Sequence, residues 1–413
     1  MISGRISTAG FYAQGVNSIT SQQGKLAKLQ EQLATGSKLN TGADDPVGAG
    51  QAIGLDRALA ELERFDKNAA TLERRLGMQE NALTDAGAQL TRARDLMIQG
   101  NNSTLSDADR KSIASELTQI RESLLAIANG QDGAGRYLFG GTEDATAPFT
   151  SGAGGVTYNG DQTQRRIDIA PALAVADAAP GSEVFMRVRT GDGTMDVSVG
   201  AGNTGTGIVS DFAVTDSAAW TGDPLRVVFT TPDAEGNATR YEIQAQAADG
   251  TWATVPDSEG DYVAGRAISH GGMQVTLTGA PAVGDSVEAG TAGTRDIFAT
   301  LDNAIAALAT EATTPAQKAA RSNAIGAALR DVAGAQDHLI DVRGTGGAAL
   351  SAIDQSADTR EAQGITIKTT LSGLRDLDYA QAVSDLAIQQ ASLEAAQAAF
   401  LQTQSMNLFQ KLG

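Results

Sequence analysis

The strongest constraint on this chain is a heptad rhythm that occurs twice, once toward each end. From Leu55, apolar or small residues recur at alternating steps of three and four: Ala58, Leu62, Phe65, Ala69, Leu72, Leu76, Leu83, Ala86, Leu90, Ala93 and Met97, interrupted only by Gln79. The rhythm returns at Leu350, Ile353, Ala357, Gly364, Ile367, Leu371 and Leu374, with Arg360 as the exception. A sustained three–four repeat specifies helices that bury a narrow seam against partner helices. Two such blocks, separated by most of the sequence, imply an α+β chain in which both termini build a long antiparallel coiled-coil bundle. The intervening sequence is then an inserted, mainly β domain.

The 413 residues allow two or three domains. A formal net charge of −18 argues against nucleic-acid binding, because nothing offsets repulsion from phosphate. Aromatic side chains make up only 4%, which favours thin helical packing over one large core. With no cysteine there is neither a disulfide framework nor a thiolate metal site. The first thirty residues lack the apolar stretch of a cleavable signal peptide, and no segment is apolar for long enough to insert into a membrane.

Charge divides each end into two grades. The first acid is Glu31, and after Glu394 the only charged side chain is Lys411. Both tips carry Gln, Asn, Ser and Thr around an apolar stripe: Ile6, Val16, Ile19, Leu26, Leu29 and Leu33 at the front, and Val383, Leu386, Leu393, Phe400, Leu408 and Leu412 at the back. Surface helices ordinarily carry charge pairs one turn apart. Without them the tips are expected to be labile in the monomer and to become helical when packed against copies of the chain. Residues 1–36 and 378–413 therefore read as a polymerisation domain.

The loop TGSKLNTGADDP ends in Asp45, placed to cap a helix that Pro46 begins. That helix extends to about Gln99, roughly 80 Å at 1.5 Å per residue. Ser106 and Asp109 form a capping-box pattern for a second helix through Leu117 and Leu124, ending at Asn129-Gly130. RYLFGG, GGVTYNG and QRRIDIA read as short strands, PLRVVFTT and TRYEIQAQ as a hairpin about PDAEGNA, and YVAGRAISHGGMQVTLTG as further strands. Helix resumes near Asp296, breaks at Thr313-Thr314-Pro315, and keeps its register through Gly344, Gly346 and Gly347. The expected divisions are a helical bundle at 37–169 and 294–377 with a small β excursion, and a β domain at 170–293. The bundle seam is Leu62, Leu72, Leu76, Leu83, Leu90, Leu350, Ile353, Ile367 and Leu371.

Catalytic and cofactor patterns are weak. GAGNTG satisfies a literal G-x-G-x-x-G but runs into GIVSDFAV, a strand, where a dinucleotide site needs a helix N-terminus. His270 and His338 are isolated, and His338 reads as a surface residue. PDAEGN and PDSEGD lack the ligand spacing of a calcium loop and read as turns. No nucleophile, base and oxyanion donor come together, so no catalytic residue, cofactor or metal site is expected.

LATGSKLNTGADDPVGAGQAI, RYLFGGTEDATAPF with YNGD, and SDLAIQQASLEAAQAAFLQTQSMNLFQKLG together resemble the bacterial flagellin superfamily and, within it, the hook-associated proteins. The form of the motif at Asp44, Asp45 and Pro46 is more typical of the third-type hook-associated subgroup than of filament flagellin. The resemblance covers roughly 160 residues at the front and 120 at the back, and is thin through 170–293. It implies a structural adaptor at the hook–filament junction, in contact with an adjacent hook-associated protein, flagellin and copies of itself in a ring. It also implies export without a cleaved signal, an extracellular place on the flagellum, and a chaperone on the C-terminal segment. A filament flagellin is the close alternative. A more distant one is a secreted adhesin that uses Trp220 and Trp252 as stacking platforms, against packing roles for both.

Overall fold

The computed structural model describes residues 8–412, with side chains from 12 to 402. Six α-helices run through the described residues: α1 (Thr8–Thr35), α2 (Pro46–Gly100), α3 (Asp107–Ala128), α4 (Ile297–Ala309), α5 (Pro315–Arg375) and α6 (Tyr379–Leu412). Their ends follow local chemistry. Ser106 and Asp109 complete a reciprocal capping box for α3, and Thr314 and Gln317 do the same for α5, at 3.2 and 3.0 Å. Helix α5 passes unbroken through its glycines, as the retained register predicts.

The chain divides into a terminal unit, Met1–Lys67 with Gln355–Gly413, and a central unit, Asn68–Asp354. In the terminal unit α1 lies antiparallel to α6, with the first turns of α2 antiparallel to the last turns of α5. The best-buried apolar side chains there are few among the described residues: Ala52, Leu62, Phe65 and Ala382.

The central unit holds three apolar clusters. The largest joins Leu83, Leu90 and Met97 of α2 to Leu117 and Leu124 of α3, Leu301 and Leu308 of α4, and Ile325, Val332 and Leu339 of α5. Phe139, Phe149, Phe185 and Phe298 close its end, with ring centroids 5.1–6.2 Å apart. Burying each such side chain contributes roughly 1.5–3 kcal/mol. A smaller cluster sets Leu72 and Leu76 of α2 and Ile353 of α5 against Ile169 and Val175.

Fifteen strands fill the middle. Hairpin β1 (Phe149–Gly152) and β2 (Gly155–Tyr158) is followed by hairpin β3 (Arg166–Ala170) and β4 (Leu173–Ala176). Then come β5 (Val188–Arg189), β6 (Met195–Val199), β7 (Ile208–Val214), β8 (Leu225–Pro232), β9 (Ala238–Gln246), β10 (Trp252–Thr254), β11 (Gly260–Asp261), β12 (Ala267–His270), β13 (Met273–Thr278), β14 (Ser286–Thr291) and β15 (Thr294–Arg295). One sheet runs β10-β9-β8-β14-β6 with β11 also on β9, and a second runs β12-β13-β7. Period-two alternation along β8, β13 and β14 sends Val227, Phe229, Val275, Leu277 and Val287 into a shared core, the third cluster. The β domain rests on α5 through Asn323, which accepts from Val209 N and donates to Gly207 O, both at 2.9 Å. Asp331 accepts from Gly191 N at 3.0 Å.

Two sequence expectations need correction. RYLFGG forms turns, with one isolated bridge from Tyr137 to Gln131, where a strand was expected. The chain wraps there around Asp161, whose carboxylate accepts from Thr142 N at 2.8 Å, while Tyr158 Oη donates to Phe139 O at 2.9 Å. Those side-chain bonds satisfy the backbone and displace a sheet ladder. His338 is half-buried, with Nε2 2.8 Å from Glu183 O, and is not a free surface residue. Asp45 caps α2 as expected, and Asp44 serves the loop before it.

Candidate assembly surface

The heptad seam and its two exceptions have direct physical accounts. Leu62, Leu72, Leu76, Leu83, Leu90 and Ile353 are buried, while Leu350, Ile367 and Leu371 are half-buried. Gln79 occupies a seam position because its Oε1 accepts from Ala179 N at 2.7 Å, a backbone group with no ladder partner. Arg360 is only 5% exposed. Its guanidinium meets Asp66 at 2.6 Å and Ser356 Oγ at 2.7 Å, so a charge is buried with its counter-charge in hand.

The α1–α6 pair differs. Tyr12 stacks on Phe400, centroids 5.1 Å apart, with Gly15 beside the same ring. Ile19, Leu26, Leu33, Leu386, Leu393 and Phe400 are half-buried, and Val16 and Val383 stay exposed. Ile6 lies outside the described residues, and Leu408 and Leu412 outside the described side chains. A two-helix contact covers one stripe of each helix and leaves the rest to water. Nine of the fourteen exposed large apolar side chains among the described residues belong to this smaller terminal unit, including Tyr12, Val16, Val47, Val383, Ile388 and Leu401. Exposed apolar surface concentrated in this way marks an interaction face.

The loop after α1 is tied down closely. Gly36, at φ +70°, ends the helix in a conformation that disfavours any Cβ, and a side chain there would meet Tyr379 Oη. Leu377 N donates to Gly36 O at 3.0 Å, Lys38 N to Arg375 O at 2.8 Å, and Lys38 Nζ to Gly373 O at 2.6 Å. Arg375 in turn pairs with Asp56, Nη1 to Oδ1 being 3.1 Å. Asp45 Oδ1 accepts from Val47 N and Gly48 N at 3.1 and 3.0 Å, capping α2 where Pro46 has no N–H to offer. Asp44 accepts from Thr41 N at 2.8 Å and from Lys28 Nζ at 2.8 Å. The Lys28 ammonium, followed by the Thr41 amide, holds its carboxyl down to about 2.

Lys38, Asp56 and Arg375 escaped the sequence reading, since charges that meet across hundreds of residues leave no local pattern. Arg110 escaped it too, although its partners are local carbonyls within ten residues. It is 4% exposed and donates to the carbonyls of Gly100, Leu105 and Asn102, closing the end of α2. No cluster of potential metal ligands occurs among the described residues, and none of the described helices is long and apolar enough to cross a membrane. Trp220 packs on the sandwich core. Arg226 covers one face of Trp252 at 4.0 Å from the ring centroid.

Residues 6–144 match the bacterial flagellin N-terminal helical region. The FlgL protein of Xanthomonas campestris is 46% identical, with 77% of this chain and 99% of that one covered at a TM-score of 0.70. Flagellar hook-associated protein 3 of Legionella pneumophila is 30% identical, covering 78% and 98% at a TM-score of 0.71. Flagellar hook-associated protein 3 of Salmonella typhimurium is 25% identical over 407 residues, 98% of this chain and 99% of that protein. Identity at this level over nearly the whole of those structures shows that the chain belongs to the flagellar hook-associated protein 3 (FlgL) family.

Proposed function

We propose that this protein is a non-enzymatic structural adaptor that joins the flagellar hook, through an adjacent hook-associated protein, to the flagellin filament. The observation that carries the proposal is the terminal unit: it has little core of its own and an excess of exposed apolar side chains. Such a surface is completed by other subunits. Copies of one chain joined by the same non-self-complementary contacts build helical or ring assemblies rather than closed dimers. Residues 1–36 and 378–413 serve as the polymerisation domain, with Val16, Ile19, Leu26, Leu33, Val383, Leu386, Leu393 and Phe400 as packing residues. Full-length correspondence to hook-associated relatives favours the junction over the filament itself. Export without a cleaved signal, a chaperone on the C-terminal segment and residence on the extracellular flagellum complete the proposal.

Deleting the gene and imaging the cells tests it. The expected strain secretes flagellin into the medium and carries hooks without filaments. Re-expression of a Val16→Ser, Val383→Ser, Ile388→Ser chain is expected to leave the melting temperature within about 2 °C, because these positions are exposed, yet not to restore filaments. Attached filaments in the deletion strain would sink the junction role.

A further inference from the structure

The α2–α5 pair of the central unit has a gap in its core. On one side Leu83 faces Leu339 and Val342 in the large cluster. On the other, Leu76 packs with Ile353 and the half-buried Leu350 in the small one. Between them only the half-buried Met78 and Ala82 reach the large cluster. The remaining contacts are polar: Gln79 with Ala179 N, and the part-exposed pair Glu80–Arg343 at 2.8 Å.

Glycines gather at the same level of both helices: Gly77 on α2, and Gly344, Gly346 and Gly347 on α5. A Cβ at Gly77, Gly344 or Gly347 would meet nothing within 4 Å, and at Gly346 only Gln79 Nε2 at 3.8 Å. Packing therefore does not require glycine there. Open space alone is shared with Gly87, Gly364 and Gly373 of the same helices, whereas Gly334 has Arg189 O within 3.2 Å of its Cβ position and Gly100 is crowded by Leu308; what distinguishes this level is three glycines within four residues of α5 opposite Gly77. Thr345 Oγ1, hydrogen-bonded to Val342 O at 2.7 Å, competes with the helix ladder at the same turn. Poor helix formers, an apolar seam broken at Gln79 and the part-exposed Glu80–Arg343 pair lower the cost of local opening.

We infer that residues 77–80 and 343–348 form a joint at which the α2–α5 pair bends between two packed clusters. In an adaptor between unlike assemblies such a joint absorbs their mismatch; that consequence rests on the junction proposal, and the joint itself does not.

Hydrogen exchange on the full-length chain tests it. Amides of 343–348 are expected to exchange at least tenfold faster than those of 325–340 and 349–354 in the same helix. The Gly77→Ala, Gly344→Ala, Gly347→Ala variant is expected to slow them at least tenfold and to melt at higher temperature. The absence of cysteine makes a second readout clean: spin labels on Asp337→Cys and Asp354→Cys should give a broad distance distribution that narrows by about half in the triple variant. Uniform protection across 325–354, or a distribution already narrow and unchanged by the alanines, overturns the joint.

Discussion

The terminal and central units are built from similar heptads, yet they put their apolar residues to opposite use. The central unit buries Leu72, Leu83, Leu90, Leu117 and Phe298 to 1% exposure or less, whereas the terminal unit leaves Val383 at 55% and Ile388 at 62%. Charge separates them as well. The terminal unit carries 11 basic and 13 acidic side chains, the central unit 20 and 36. A nearly neutral, apolar-rich segment suits the close packing proposed for it, while the surplus of acid adds self-repulsion elsewhere. Periodicity therefore shows that a helix seeks partners; whether those partners lie in the same chain depends on how many other elements reach it.

Amide exchange on the monomer offers the sharpest contrast. Among the described residues, those of 8–33 pack mainly on the single helix α6, so their amides should exchange within seconds to minutes. Those of 325–342, enclosed by three helices and an aromatic cluster, should be protected by a factor of about 10³ or more. Equal protection in both regions would remove the distinction between the units.

Core truncation follows in size. Phe298→Ala removes a ring that is fully buried against Phe149 and Phe185 and should cost about 3–5 kcal/mol in urea unfolding of the central unit. Phe400→Ala removes a half-buried ring from a single pair and should cost about 1 kcal/mol or less there, while still blocking filament attachment. Similar losses from both variants would mean that the α1–α6 pair is folded as firmly as the core.

Much of this was legible in the sequence, for reasons that are local. The helices at Pro46 and Asp107 announce themselves by Asp45, Ser106 and Asp109, whose side chains act within three residues. The β8–β9 hairpin declares itself by period-two alternation about PDAEGNA. What the sequence hid depends on distant partners. Nothing near RYLFGG shows that Asp161 will organise it into turns, and nothing near Arg360 shows that Asp66 will neutralise it. The exceptions at Gln79 and Arg360 were visible as breaks in a pattern, but their reasons lie in Ala179 and Asp66, far along the chain. The surface proposed for assembly stands out in the sequence as uncharged stripes; the stitching of its loop by Lys38 and Arg375 does not.

The smallest effect concerns that loop and its dependence on pH. Asp44 has its carboxyl lowered from 3.8 to about 2 by Lys28 and Thr41. A carboxyl lowered in the folded state adds stability above its unfolded value, and the gain is lost as the pH falls through the folded value. The link from α1 to the loop should therefore be intact at pH 5 and weaken between about pH 4 and pH 2. The amide resonances of Thr41 and its neighbours report it, since Thr41 N donates to the titrating oxygen at 2.8 Å. Asp44→Asn keeps an acceptor for Thr41 but removes the charge that Lys28 meets, so the shift in this window should vanish while the Asp45 cap of α2 persists. An unchanged acid transition in Asp44→Asn would assign the loop's closure to the Lys38 and Arg375 contacts alone.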